Sequence, residues 1–302
     1  MSILIWLSLL NKYRETIMVE VKTFFDKQTF TFTHLVYDVN TKDAVVFDPV
    51  LDLDTIGWRT YKDSLNTLDG FISANQLKLH YVLDTHIHAD HLSGMQHLKE
   101  KYKVPVVINA AITVVQETFK DVFNLGDDFD VTGSDFDVLV KDGDRLDAGS
   151  IKIEVLHTPG HTPACTTYKI DDNLITGDAL FVPSIGTGRC DFPKGSAKDL
   201  YQSVTKKLYS FSDDTKVFPG HDYPGNRELQ TFTTIGESKA SNVDLPADRS
   251  EAEYVKFMEN RDSKLPLPRL IYQGVQVNLT AGQLPKKESN GQSYLKIPIY
   301  ND

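Results

Sequence analysis

The chain has 302 residues, 40% of them hydrophobic and 25% charged, which places it among globular proteins with enough apolar content for one large core or two modest ones. Its formal net charge of −10 argues against a nucleic-acid or anionic-membrane partner, because both reward clustered Lys and Arg. Two cysteines, Cys165 and Cys190, imply no disulfide framework and fit a reducing, cytoplasmic setting.

The amino-terminal "MSILIWLSLLNKYRETIMVE" opens with an apolar run. Its basic residues follow that run, no small-residue cleavage site appears, and it is too short to span a bilayer, so it reads as no signal peptide. Residues 1–17 are expected to be an appendage ahead of an alternative start at Met18. Residues 18–302 are expected to form a single domain with a C-terminal extension from about 226.

In chain order, "TFTFTHLVYDV" and "DAVVFDPV" read as two strands joined by the polar turn "NTKD", and "DTIGWRTYKDSLNTLDGFISANQ" has the apolar spacing of an amphipathic helix. "LHYVLDT" is a short strand running into "DTHIHADHLSG", "LSGMQHLKEKY" a helix, and "PVVINAAI" a strand. "DRLDAGSIKIEVLHTPGHT" reads as a turn and a strand ending at a histidine, "TTYKIDDNLITGDALF" as a pair of strands ending at an aspartate, and "DTKVFPGHDYPG" as one more strand ending at a histidine. From "NRELQTFTTIGESKAS" to "YVKFMENRDSKLPLP" the spacing is helical and stops at prolines. The polar residues of interest all fall at strand ends, where a rigid sheet holds loops for ligand binding.

His86 and His88 are two apart and project to one side of an extended segment, with Asp90 and His91 at the following turn. His161 of "TPGH", Asp178 of "TGDALF" and His221 of "FPGHDY" each follow an apolar strand beside a glycine. Imidazoles with carboxylates suit zinc or iron better than calcium or magnesium. His34, His80, His97 and His157 lack such company and are expected at the surface or the edge of the core. Cys165 is expected in the core, and Cys190 as a packed thiol, since its motif holds no base to activate it.

The set "THIHADH", "TPGHTPAC", "TGDALF" and "PGHDY" resembles the metallo-β-lactamase superfamily over about residues 20 to 225. The resemblance implies an αββα sandwich with the metal site at one edge of two facing sheets. In its dinuclear members the first site resembles His86, His88 and His161, the second Asp90, His91 and His221, and Asp178 bridges them. A second stretch, "GTGRCDFPKGSAKDLYQSV", is similar to the persulfide dioxygenases, and with "LPRLIYQGVQVNLTAGQLP" to the bacterial β-lactamase hydrolase-like proteins.

This narrower resemblance implies one Fe(II) per chain on His86, His161 and Asp178, with zinc as the alternative metal and His88, Asp90, His91 and His221 orienting the ligands or holding a second ion. Two histidines and one carboxylate leave positions for dioxygen and a thiol-derived substrate. The implied reaction oxidises glutathione persulfide with O2 to sulfite and glutathione, with Arg189, Asp191 and Tyr223 lining a glutathione pocket. Thr280 departs from the group's pattern, which often has a basic residue there. No rhodanese-like segment is visible, so a sulfurtransferase would be a separate protein, and a homodimer remains open. Two alternatives stand beside this reading: a glyoxalase II-type thioester hydrolase with a dinuclear zinc-containing centre, and a non-catalytic module stabilised by metal.

Overall fold

The computed structural model describes residues 18–299, so the expectation for residues 1–17 lies outside the described part. Antiparallel strands β1 (Val19–Asp26), β2 (Thr31–Asp38) and β3 (Asp43–Phe47) open the fold. A small hairpin of β4 (Val50–Asp54) and β5 (Arg59–Tyr61) leads to α1 (Asp63–Ala74), and the chain returns as β6 (Lys78–Leu83), parallel to β3. The histidine-rich loop ends in β7 (Leu92–Ser93), which pairs with β4. Then come α2 (Met95–Tyr102), β8 (Val106–Asn109), α3 (Ile112–Val122) and β9 (Val138–Val140).

The second half contributes β10 (Arg145–Ala148), β11 (Ile151–His157), β12 (Thr166–Ile170) and β13 (Asn173–Gly177) as an antiparallel meander. Helix α4 (Ala197–Gln202), prolonged by π and 3-10 turns to Ser210, precedes β14 (Lys216–Pro219), which lies parallel to β13, and β15 (Thr233–Thr234). Helices α5 (Ile235–Ser241), α6 (Glu251–Asp262) and α7 (Ile271–Asn278) follow.

The strand order is β1-β2-β3-β6-β8-β9 in one sheet and β10-β11-β12-β13-β14-β15 in the other. Val36, Val45, Phe47, Leu83, Tyr168, Ile175 and Phe218 form the apolar layer between them. A second layer joins the first sheet to α1, α2 and α3 through Leu35, Val46, Leu68, Leu98 and Phe119. A third joins the second sheet to α4, α5 and α6 through Leu174, Val217, Leu200, Ile235 and Tyr254. Two sheets each buried on both faces give the four-layer αββα sandwich expected from the sequence. Among the described residues no helix is long and apolar enough to cross a membrane.

Four local expectations are corrected. The helix expected from Asp54 onward begins only at Asp63, because Arg59–Tyr61 pairs with β4 instead. The segment 145–157 is two paired strands, not a turn and one strand. The stretch 227–232 is not helical, and α5 starts at Ile235 behind a Thr234–Glu237 capping box. His34 was expected at the surface or the edge of the core but is wholly buried, its ring held between the Thr23 hydroxyl at 2.9 Å and the Pro219 carbonyl at 2.8 Å.

Candidate metal centre

The seven candidate ligands come from four loops at one edge of the sandwich. His86, His88, Asp90 and His91 follow β6, His161 follows β11, Asp178 follows β13 directly, and His221 stands one residue after β14. The loops are forced close together. Gly177 has a φ of +51°, and a Cβ there would stand 2.3 Å from Thr85 Oγ1; one on Gly220 would stand 2.6 Å from Asp178 Oδ1.

Asp178 is the hub. Its Oδ2 lies 3.9 Å from His86 Nε2 and 3.7 Å from His161 Nε2, while its Oδ1 lies 3.5 Å from His221 Nε2. Asp90 Oδ2 lies 3.6 Å from the same His221 nitrogen. Three clusters have donor atoms that all lie within 4.8 Å of one another: His86, His161 and Asp178; His88, Asp90 and His91; and Asp48, Asp84 and His88. The rings of His88 stand 4.0 Å from His86 and 4.2 Å from His91, so the clusters are neighbours.

The other ring nitrogens fix the tautomers. His161 Nδ1 is 2.6 Å from the Arg189 carbonyl and His221 Nδ1 is 3.1 Å from that of Phe30; a carbonyl only accepts, so each Nδ1 carries the proton and each Nε2 presents a lone pair. Asp48 Oδ1 likewise accepts from His88 Nε2 at 3.0 Å, which leaves His88 Nδ1 as the lone-pair atom. The Thr85 hydroxyl gives its proton to Asp48 Oδ2 and so accepts from His86 Nδ1 at 3.0 Å. His86 Nε2, His88 Nδ1, His91 Nε2 and Asp178 Oδ1 are buried without a hydrogen-bond partner. Converging lone pairs that find no proton donor in the protein fit a metal ion, since buried polar atoms otherwise find partners.

Electrostatics agree for His86, His88 and Asp90. Burial, followed by the neighbouring His88, holds the His86 imidazole well below its usual range, and burial followed by His91 does the same for His88; both imidazoles are neutral at neutral pH. Burial pushes Asp90 upward, but His221 and His91 outweigh it and hold the carboxyl well below the usual carboxylate range. Burial lowers His221, and the Asp178 and Asp90 carboxylates more than reverse it. Asp84 is pushed well above its usual value by burial and by the nearby Asp48, against the Ser93 hydroxyl.

A cleft of about 520 Å³ opens over Asp90, His161, Asp178 and His221 and is also lined by Arg189, Tyr223, Arg261 and Arg269. Tyr223 stacks on His221 at 5.7 Å and 13°. Arg189 is committed elsewhere: its Nε and Nη2 each donate to Asp191 at 2.6 Å, and its Nη1 donates to the Pro266 carbonyl at 2.8 Å. Arg261 is tied to Asp244, Asp262 and the Gly188 carbonyl. Arg269 is exposed, bonds only the Thr55 hydroxyl at 2.7 Å, and has no carboxylate partner among the described residues. Sequence reading passed over it. Thr280 does not line the cleft; its hydroxyl serves the Val277 and Gln283 carbonyls at the end of α7.

Asn278 was also missed. Buried in α7, its amide donates to the His88 and His91 carbonyls at 2.8 Å each, and its oxygen accepts from the Ser93 N–H at 2.7 Å. Gly274, one turn earlier, lets α7 approach that close, since a Cβ there would stand 2.9 Å from the His91 carbonyl. Cys165 is in the core, and burial pushes its thiol up to about 12. Cys190 is buried as well, and burial followed by Asp262 moves its thiol upward, so neither is an activated nucleophile.

Residues 28–221 match the family model of the metallo-beta-lactamase superfamily, and the chain belongs to that superfamily. It is 40% identical to Glyoxylase B2 of Dictyostelium discoideum over 283 residues, covering 93% of this chain and 97% of that protein. It is 40% identical over 280 residues to the Beta-lactamase hydrolase-like protein of Xylella fastidiosa, covering 92% of this chain and 64% of that longer protein. It is 31% identical over 264 residues to the human mitochondrial Persulfide dioxygenase ETHE1, covering 87% of this chain and 88% of that protein. The crystal structure of ETHE1 from Myxococcus xanthus superposes with a TM-score of 0.71 at 34% identity, covering 87% of this chain and all of that one.

Proposed function

We propose that the protein is an iron-dependent persulfide dioxygenase that oxidises glutathione persulfide with O2 to sulfite and glutathione. The observation that carries the reading is the two-imidazole, one-carboxylate set of His86, His161 and Asp178, two members of which line the cleft. The 31% identity to a persulfide dioxygenase across most of both chains supports it. Iron in such a set supplies coordination positions open to small ligands. Around it, Asp48, Thr85 and the Arg189 carbonyl fix the imidazole tautomers, and Asn278 fixes the backbone of the ligand loop. His88, Asp90, His91 and His221 tune and orient. Arg269 offers its guanidinium to a substrate carboxylate, with Tyr223 beside it in the cleft.

A second reading, thioester hydrolysis at a dinuclear centre, is favoured by the complete second donor set of His88, Asp90 and His91 and by the likeness to Glyoxylase B2. One experiment separates them. The purified protein is given glutathione persulfide, then an S-acylglutathione, while O2 uptake, sulfite and free thiol are followed. Sulfite formed with O2 uptake supports the dioxygenase; thiol release from the thioester without O2 uptake on the persulfide overturns it.

A further inference from the structure

The cleft over the candidate metal ligands has a second arm. Beside the arm that holds Arg261 and Arg269, a cavity of about 360 Å³ lies between Phe119, Val122, Phe192, Pro193, Ile271 and Tyr272. The two arms share Ala89, His161, Arg189, Leu267 and Pro268. This wall belongs to the core, not to a loose surface: the Phe119 and Phe192 rings are 5.2 Å apart, both nearly fully buried in the layer beneath α3, and Phe192 stands 6.0 Å from the His161 ring. Apart from His161, the arm's charged lining residues are Arg189 and Asp191, which are spent on each other. An apolar substituent entering it gains from burial against Phe119, Phe192 and Ile271.

We propose that this arm binds the apolar organic group of a low-molecular-weight persulfide R–S–SH, so that alkyl persulfides are substrates in addition to glutathione persulfide. The inference rests on the dioxygenase reading. The reaction is R–S–SH + O2 + H2O → R–SH + sulfite + 2 H⁺: the S–S bond breaks, the outer sulfur is oxidised from formal 0 to +4, and O2 takes up the four electrons. The sulfur sits at the junction by His161, and the alkyl chain runs along Phe192 toward Val122 at the end of α3.

The test uses the iron-loaded full chain with methyl, propyl and pentyl persulfides beside glutathione persulfide, following O2 uptake and sulfite. The corresponding alkanethiols are titrated separately by calorimetry. Thiol affinity and kcat/KM are expected to rise about four-fold per added methylene until the arm is filled. In Val122→Asp, which puts a charge into the arm's mouth, both series are expected to flatten. Alkanethiol affinities that do not change with chain length overturn the arm, even where glutathione persulfide is turned over. Absence of O2 uptake with every persulfide, despite chain-length-dependent thiol binding, overturns the dioxygenase reading and with it the proposed alkyl persulfide oxidation, leaving the arm as an apolar thiol site.

Discussion

Asn278→Ala tests whether α7 holds the ligand loop. The substitution removes three buried hydrogen bonds and strands the His88 and His91 carbonyls and the Ser93 N–H, none of which water reaches easily. A stranded buried group costs about 1–3 kcal/mol, so three cost roughly 3 kcal/mol or more. At about 2–4 °C per kcal/mol for a chain somewhat smaller than this one, the melting temperature is expected to fall by roughly 6–12 °C. Because the lost bonds fix the backbone of two candidate ligands, metal affinity is expected to fall roughly 10- to 100-fold. Thermal unfolding and chelator competition read the two effects separately. Asn278→Asp retains the acceptor for Ser93 but turns a carboxylate toward two carbonyls, so it is expected to do no better than Ala. Wild-type melting and metal affinity in both variants would refute the reasoning.

Asp178→Ala removes the one carboxylate of the proposed triad and is expected to abolish iron retention, whereas His88→Gln is expected to keep most of it; equal loss, measured by metal analysis, would put His88 inside the iron's coordination. Arg269→Ala is expected to raise KM for an anionic thiol substrate roughly ten-fold with an unchanged melting temperature, because the side chain is exposed and lacks an ion-pair partner. Arg189→Ala is expected to do the reverse, lowering the melting temperature by a few degrees, since it releases Asp191 and the Pro266 strap from a half-exposed pair worth about 1 kcal/mol. Burial lowers the His34 imidazole to about 4, against a weaker raising influence of the Pro219 carbonyl. Above the unfolded value of about 6.5 the ring is neutral in both states; between there and about 4 the unfolded chain takes up a proton that the folded one refuses. Stability therefore falls with falling pH, by about 1.4 kcal/mol for this group at pH 5.5, and urea unfolding of His34→Gln is expected to show a flatter profile than wild type.

The longer strands were legible from their period-two patterning, and the seven candidate ligands stand in the loops that follow β6, β11, β13 and β14, where apolar runs give way to polar and glycine-containing turns. The helix expected over residues 54–76 came out shorter because β5 owes its existence to pairing with β4, a contact that apolar spacing does not encode. His34 looked like an edge residue because a single polar position in a strand signals solvent unless both faces of the sheet are covered, as they are here. Arg189 and Arg269 are indistinguishable as letters; that one is spent on Asp191 and the other has no carboxylate partner among the described residues emerges only when α6 and α7 fold back over the cleft. Asn278 had no motif to mark it, since its partners lie about 190 residues away in sequence. Its one local signal was a polar residue, alternating with Gln276 among valines, at the helix end "GVQVNL".

The metal content of protein purified without oxygen, measured together with O2 uptake on glutathione persulfide, tests the central proposal most directly. About one iron per chain, with uptake that scales with iron, is the expected result. Two zinc ions per chain, with thioester hydrolysis and no uptake, would contradict it.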